Sequence, residues 1–257
     1  MQSKLSELTI AKQEAVRFRR NQGLGPSESL NLDSLLLQLN ILTVFLPLKN
    51  VSGMAIKVNN NSSTHRFILI NSNDSIGRQN FTICHELYHL FIQKDFKFQV
   101  CNTGLFEKKN IEEYRADLFA SSFLIPEDGV NEILIEENLD IDNKTSISSI
   151  ILKLEHYFGC SRTAMLNKLS YLGYSELKKG TDLHSEFITG VKSHAQQYGY
   201  DLNLYSSGNH RKVIGDYGEM AKKLFDSSII SETHYASLME QIFVNIYTPQ
   251  VDESENE

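Results

Sequence analysis

The sequence predicts an α+β fold, and three observations carry that prediction. Apolar, β-branched runs cluster in one stretch, residues 41–71; helical periodicity dominates on both sides of it; and Gly and Pro punctuate the ends of the periodic segments. The expected architecture is a small sheet beside a helix, followed by mostly helical C-terminal regions.

Residues 5–20 place Leu5, Leu8, Ala11, Ala15 and Phe18 at helical spacing, and Gly23, Gly25 and Pro26 end that helix. Ser27–Ser29 are placed to cap a second helix running through Leu39, with Leu32, Leu35, Leu36 and Leu39 inward. Three strands follow: Ile41–Leu46, Gly53–Val58 with Met54, Ile56 and Val58 alternating, and Arg66–Asn71. The polar run Asn59–Thr64 joins the last two as a loop. Helical pattern resumes over Arg78–Ile92 and again over Asn110–Leu124. The second of these stops ahead of Pro126, because the residue before a proline is pushed out of helical φ/ψ. Asp128–Glu137, Ser146–Phe158 and Ser161–Leu172 continue as helices, with Gly159 and Gly173 as stops. The remainder is polar, then mostly helical from Tyr217 to Ile246. This ordering divides the chain into a core with N-terminal helices over 1–127, a helical region over 128–175, and a C-terminal region over 176–257 of unassigned role.

Of the 257 residues, 41% are hydrophobic and 22% charged, enough for a sizeable core. With only 4 Pro and 14 Gly, collagen-like and broadly disordered classes are excluded. No run of roughly 18 apolar residues is present, so no transmembrane helix is expected, and Met1–Arg20 lacks the apolar run of a signal peptide. Cys84, Cys101 and Cys160 are too few and too scattered for a disulfide framework, which points to a reduced, cytoplasmic location. The net charge of −7 argues against a generic nucleic-acid binder. Charge is uneven, with Arg17, Arg19 and Arg20 on the first helix and Asp252, Glu253, Glu255 and Glu257 in the tail. Read plainly, these are a solvated basic helix and a frayed acidic end.

The chemistry is carried by His85-Glu86-Leu87-Tyr88-His89, an HExxH pattern. At about 3.6 residues per turn, His85 and His89 sit one turn apart on one helix face, where two imidazoles can share a Zn²⁺. Glu86 is rotated by about 100° from His85, beside the metal and not on it, placed to take a proton from water that the metal activates. Ile83, Leu87, Leu90 and Phe91 form the apolar side of the same helix. A catalytic site needs a third protein ligand and one open position. Glu113-Tyr114-Arg115-Ala116-Asp117 lies on the next predicted helix. There Glu113 can ligate, and Asp117, one turn on, can accept the N–H of a ligand histidine and fix its tautomer. Glu112 competes for the ligand role but has no carboxylate one turn on.

The stretch from Gln79 to Pro126 resembles the ImmA/IrrE family of zinc metallopeptidases. That family's pattern is Phe-Thr ahead of HExGH, then E-x-x-A-N/D-x-F-A and a Leu-x-Pro end. Phe81-Thr82, His85, Glu86, His89, Glu113, Ala116, Asp117, Phe119, Ala120 and Pro126 match it. Upstream, Val51-Ser52-Gly53 is similar to the family's I-S-G, followed by Ile70-Asn71; downstream the likeness fades towards Gly173. Tyr88 departs from the usual Gly and can crowd the cleft. Asp117 stands where Asn is common and is the better acceptor. The resemblance implies a minimal zincin core, a small antiparallel sheet packed beside the HExxH helix. It also implies cleavage of helix-turn-helix repressors, in partnership with a gene-neighbour repressor.

A tetrahedral oxyanion needs a donor besides the metal. Tyr88, His156, Tyr114 and His65 are candidates, and the sequence does not choose among them. Cys84 points away from the ligand face and reads as a buried structural thiol. His184, His194, His210 and His234 have no partner at metal spacing. Ile147–Leu172 reads as two helices joined by Phe158-Gly159-Cys160-Ser161, similar to a helix-turn-helix, with Arg162, Asn167 and Lys168 exposed on the second. Two positive charges are few for DNA, so a plain helical pair packed on the peptidase stands beside nucleic-acid contact through 147–172. Taken together, the sequence reads as a zinc-dependent endopeptidase. Its expected substrate is one specific protein, by the family resemblance a helix-turn-helix repressor, bound extended along a sheet edge, with no membrane partner. A zinc sensor or toxin–antitoxin partner module is one rival, and a DNA-binding regulator is another.

Overall fold

Branching and alternation make strands where the sequence expects them. The computed structural model describes residues 2–60, 63–101, 103, 110–138 and 144–242. Strand β1 spans Ile41–Leu46, β2 Gly53–Asn59 and β3 Thr64–Asn71. β2 and β3 pair antiparallel, Gly53 opposite Ile70 and Asn59 opposite Thr64. β1 lies on the other side of β3 and runs parallel to it, Ile41 opposite Arg66 and Leu46 opposite Asn71. The α+β class holds, but the sheet is mixed where a wholly antiparallel one is expected. An antiparallel sheet needs β1 beside β2. Here β1 skips to the far edge of β3, and after two reversals of direction those two strands point the same way.

Two short strands complete the sheet in the order β4-β2-β3-β1-β5. β4, Phe98–Cys101, pairs antiparallel with β2, and β5, Val213–Ile214, pairs antiparallel with β1. Neither has an alternation long enough to be read from sequence.

The helices follow the apolar spacing. α1 (Gln2–Asn21) buries Ala11, Ala15 and Phe18. Arg19, expected on a solvated face, is buried, its guanidinium donating to the carbonyls of Gly25, Glu28 and Phe123. α2 (Leu32–Gln38) is shorter than expected and is capped by Asn31, which accepts the Ser34 N–H at 3.0 Å. Ser27–Ser29 do not cap it. The chain ahead of it is held in a turn, where the Glu28 carboxylate accepts the Gly25 N–H at 2.6 Å. α3 (Ile76–Phe91) packs against β2 and β3, with every residue from Phe81 to Leu90 buried. α4 (Ile111–Leu124) packs on both α1 and α3, and Asn110 caps it by accepting the N–H groups of Glu112 and Glu113. α5 (Glu127–Glu136), α6 (Lys144–Phe158), α7 (Arg162–Tyr171), α8 (Asp182–Ile188) and α9 (Val191–Gln197) follow, then α10 (Tyr217–Asp226) and α11 (Glu232–Ile242). Among the described residues no helix is long and apolar enough to cross a membrane. The acidic tail and residues 243–246 of the expected last helix lie outside the described residues.

One apolar core runs from Ala11 in α1 to Ile214 in β5, and it takes in α6 and α7. A separate small cluster, Ala221, Tyr235 and Met239, ties α10 to α11. Residues 203–214 brace the start of α3. Gln79 donates to the Gly208 carbonyl at 3.1 Å and accepts from the Asn209 amide at 2.9 Å, while Ile76 N–H meets the Ser206 carbonyl at 2.9 Å.

α6 and α7 meet as the sequence suggests, with Ser161 capping α7 through the Ala164 N–H at 3.3 Å. The face expected to be exposed is turned inward. Arg162 is ion-paired with the buried Glu155 and donates to the Phe187 carbonyl at 2.9 Å. Lys168 is also buried, and Asn167 is half-buried. A carboxylate buried as fully as Glu155 requires a counter-charge, and Arg162 supplies it.

Candidate metal centre

The site is built by two helices crossing over one end of the sheet. α3 contributes His85, Glu86 and His89, and α4 contributes Glu113 and Asp117. Helical spacing alone puts the two histidines on one face, and their Nε2 atoms lie 3.1 Å apart. Glu113 closes the triangle, Oε2 at 3.3 Å from His85 Nε2 and Oε1 at 3.1 Å from His89 Nε2. Glu112, the rival carboxylate, points elsewhere: it accepts the Tyr88 hydroxyl at 2.8 Å and pairs with Arg115 at 2.7 Å.

The outer nitrogens of both rings meet acceptors. Asp117 Oδ1 is 2.9 Å from His85 Nδ1, and Gln93 Oε1 is 2.5 Å from His89 Nδ1. With Nδ1 protonated on each ring, both Nε2 lone pairs face the Glu113 carboxylate, an arrangement that calls for a positive charge at its centre. In the metal-free chain a proton supplies it. Burial opposes that charge, but Asp117 and Glu113 outweigh burial and push the His85 pKa up to about 10. Burial alone would raise the Glu113 carboxyl; the two histidines hold it well below the usual carboxylate range.

Cys101, at the end of β4, joins the group. One donor atom from each of His85, His89, Cys101 and Glu113 fits within 4.8 Å of the others, and Cys101 Sγ is 3.6 Å from Glu113 Oε1. A tetrahedral ion with nitrogen and oxygen donors at about 2.0–2.1 Å holds those donors about 3.3 Å apart, and a sulfur ligand at about 2.3 Å sits about 3.6 Å from them. The donor set therefore fits a four-coordinate metal ion. Beside it, Glu86 is fully buried. Among the described residues its Oε1 has no hydrogen-bond partner, and burial pushes its carboxyl pKa up to about 7.

The family model described as IrrE N-terminal-like, peptidase M78, matches residues 37–170, just over half of the chain, and that span contains every residue of the cluster. The chain belongs to the peptidase M78 family. Its function is of the metallopeptidase type. Among curated proteins, none matches the chain. All of α1, most of α2, and all that follows α7 lie outside the M78 span, although β5 and the brace on α3 come from that outer part.

The structure brings together His85, Glu86, His89, Glu113 and Asp117. It does not bring His156, His65 or the Tyr88 hydroxyl with them. His156 stacks on Tyr200 with centroids 4.5 Å apart and meets the Tyr205 hydroxyl at 3.2 Å. Tyr88, the departure from HExGH, lies against Phe119 and turns its hydroxyl to Glu112. His65 meets the Ser63 hydroxyl at 2.8 Å on the exposed end of the hairpin. Cys84 is buried as expected. Two members of the site escape sequence reasoning. Gln93 stands one helical turn after His89, a signal available in the sequence. Cys101 stands at no helical spacing from the motif and is brought in only by the pairing of β4 with β2.

Proposed function

We propose that this M78 protein is a cytoplasmic zinc-dependent endopeptidase that cuts an extended segment of one specific protein, a helix-turn-helix transcriptional repressor. His85, His89 and Glu113 would hold the zinc, and the soft and borderline donors here, imidazole and thiol, suit that ion. Bound there, zinc supplies Lewis acidity towards a peptide carbonyl and towards water. The chain's own groups do the rest. Asp117 and Gln93 fix the tautomers and orientations of the two imidazoles. Glu86 accepts the proton of the attacking water and returns it to the leaving amine, a role suited to a carboxyl poised near neutral pH.

The observation that carries this reading is that, among the described residues, Glu86 Oε1 has no hydrogen-bond partner. A buried carboxylate oxygen left without a hydrogen bond costs about 1–3 kcal/mol, which a purely metal-holding module has no reason to retain. The fourth donor, Cys101, favours the rival reading of a zinc-binding sensor or toxin–antitoxin partner, since structural zinc sites are closed by four protein ligands. The repressor substrate rests on the family resemblance.

The test is to look for a helix-turn-helix protein encoded beside the chain and to incubate it, or failing one a set of helix-turn-helix repressors from the same genome, with the chain and zinc. The parent should cut that protein faster than it cuts casein, and Glu86→Gln should bind zinc and the partner but cut neither. Cleavage that survives Glu86→Gln rejects Glu86 as the base. Binding without any cleavage makes the sensor reading the better one.

A further inference from the structure

We propose that Cys101 is a fourth protein ligand of the metal, and that β4, which carries it, keeps the enzyme latent by occupying the sheet edge an extended substrate needs. The proposal rests on the metallopeptidase reading and adds a switch to it.

The donor geometry comes first. One donor atom each from His85, His89, Glu113 and the buried Cys101 lies within 4.8 Å of the others, with the Cys101 sulfur 3.6 Å from Glu113 Oε1 and 3.7 Å from Glu86 Oε2. A thiol that coordinates a divalent ion would do so as the thiolate. Hydrolysis needs one open position at the metal, so a thiolate in the fourth corner and catalysis exclude each other.

The sheet edge gives the second observation. β2 runs so close to the site that a Cβ on Gly53 would come within 3.0 Å of Glu86 Oε1 and 2.6 Å of the Thr82 methyl. Cys101 lies opposite Gly53 in the β2–β4 ladder. The Ser52 N–H donates to the Cys101 carbonyl at 3.0 Å, and the Lys57 N–H to the Lys97 carbonyl at 2.8 Å. A peptide adding to β2 would use these same main-chain groups and bring a carbonyl to the place now held by the sulfur. A peptide adding outside β4 would lie about 4.8 Å farther out, beyond the reach of Glu86.

Third, β4 is lightly held. It is four residues long and its one strand partner among the described residues is β2. Phe98 and Val100 on it are about half exposed. Such a strand can part from β2 locally while Phe96, stacked on His89, and Thr103, bonded to Thr82, hold its two ends. As it peels away, the metal–sulfur bond breaks with the electron pair staying on sulfur, and the thiolate takes a proton from solvent. The metal position and the β2 edge then open together. The displacing group is the substrate's own extended segment, which competes for the β2 hydrogen bonds.

Cobalt(II) bound in place of zinc reports the ligand directly, because a thiolate gives a near-ultraviolet charge-transfer band that imidazole and carboxylate do not. The full chain should bind one cobalt per molecule and show the band. Cys101→Ser and Cys101→Ala should bind cobalt more weakly, without the band, and cut an unstructured peptide faster than the parent. A parent that binds one cobalt without the band overturns the proposal, and that spectrum decides even if neither variant folds. A band that survives in both variants overturns it as well. A parent that binds no cobalt or zinc at all overturns the metallopeptidase reading beneath it.

Discussion

The buried charges of the α6–α7 pair and those of the α3–α4 pair are finished differently. In the α6–α7 cluster each group is matched: Arg162 pairs with Glu155 and donates to the Phe187 carbonyl, and the Tyr205 hydroxyl donates to Glu155 at 2.6 Å. In the α3–α4 cluster one oxygen is left over. Three carboxylates, Glu86, Glu113 and Asp117, surround two imidazoles, and among the described residues Glu86 Oε1 has no hydrogen-bond partner. The first arrangement needs nothing from outside. The second is a donor set that could hold a cation, with a buried carboxylate beside it. A buried polar cluster that the chain completes by itself is structural; one that it leaves incomplete is where chemistry enters.

The largest expected difference follows from removing one member of each cluster. Glu155→Ala should lower stability by about 3–5 kcal/mol, since Arg162 is left buried without a counter-charge. Denaturant unfolding measures this, and a loss near zero would mean that the pair is not closed as described. Glu113→Ala should cost little fold stability but abolish tight metal binding, while Glu112→Ala should leave binding intact. Dialysis followed by metal analysis separates the two carboxylates.

Asp117→Ala is a milder change. It should weaken metal affinity about 10–100-fold by freeing the His85 ring, read by competition with a chelating dye. pH sharpens the contrast further. In the metal-free chain the His85 pKa is raised from 6.5 to about 10, so its contribution to stability is full below about 6.5 and lost as pH rises towards 10. The unfolding midpoint should fall over that window in the presence of chelator, and bound metal should flatten the slope by taking the proton's place. A slope unchanged by metal would count against the site. The smallest effect belongs to Lys168. Burial lowers its pKa to about 8, so holding it charged near neutrality destabilises the fold, and Lys168→Met should raise stability by about 1–3 kcal/mol in a denaturant titration.

Local spacing made the catalytic helix legible. His85, Glu86 and His89 are neighbours within two turns, as are Glu113 and Asp117, and periodicity carries such pairs directly. The three long strands were legible for the same reason. Sheet order was not, because nothing local tells whether β1 pairs with β2 or with β3. Cys101 and the brace from Gly208 and Asn209 were invisible, since each reaches the site by a pairing distant in sequence. The inward turn of Arg162 was missed because it depends on Glu155 being buried across the turn, which charge patterning alone does not reveal.

The central claim is that the α3–α4 cluster is incomplete without a metal ion. The most direct measurement is the metal content of the purified full chain, beside that of His85→Ala. The parent should carry about one zinc per chain, and His85→Ala should carry none while folding to the same helical content. A parent that is isolated without zinc and takes up none on addition, while folded, would contradict the account.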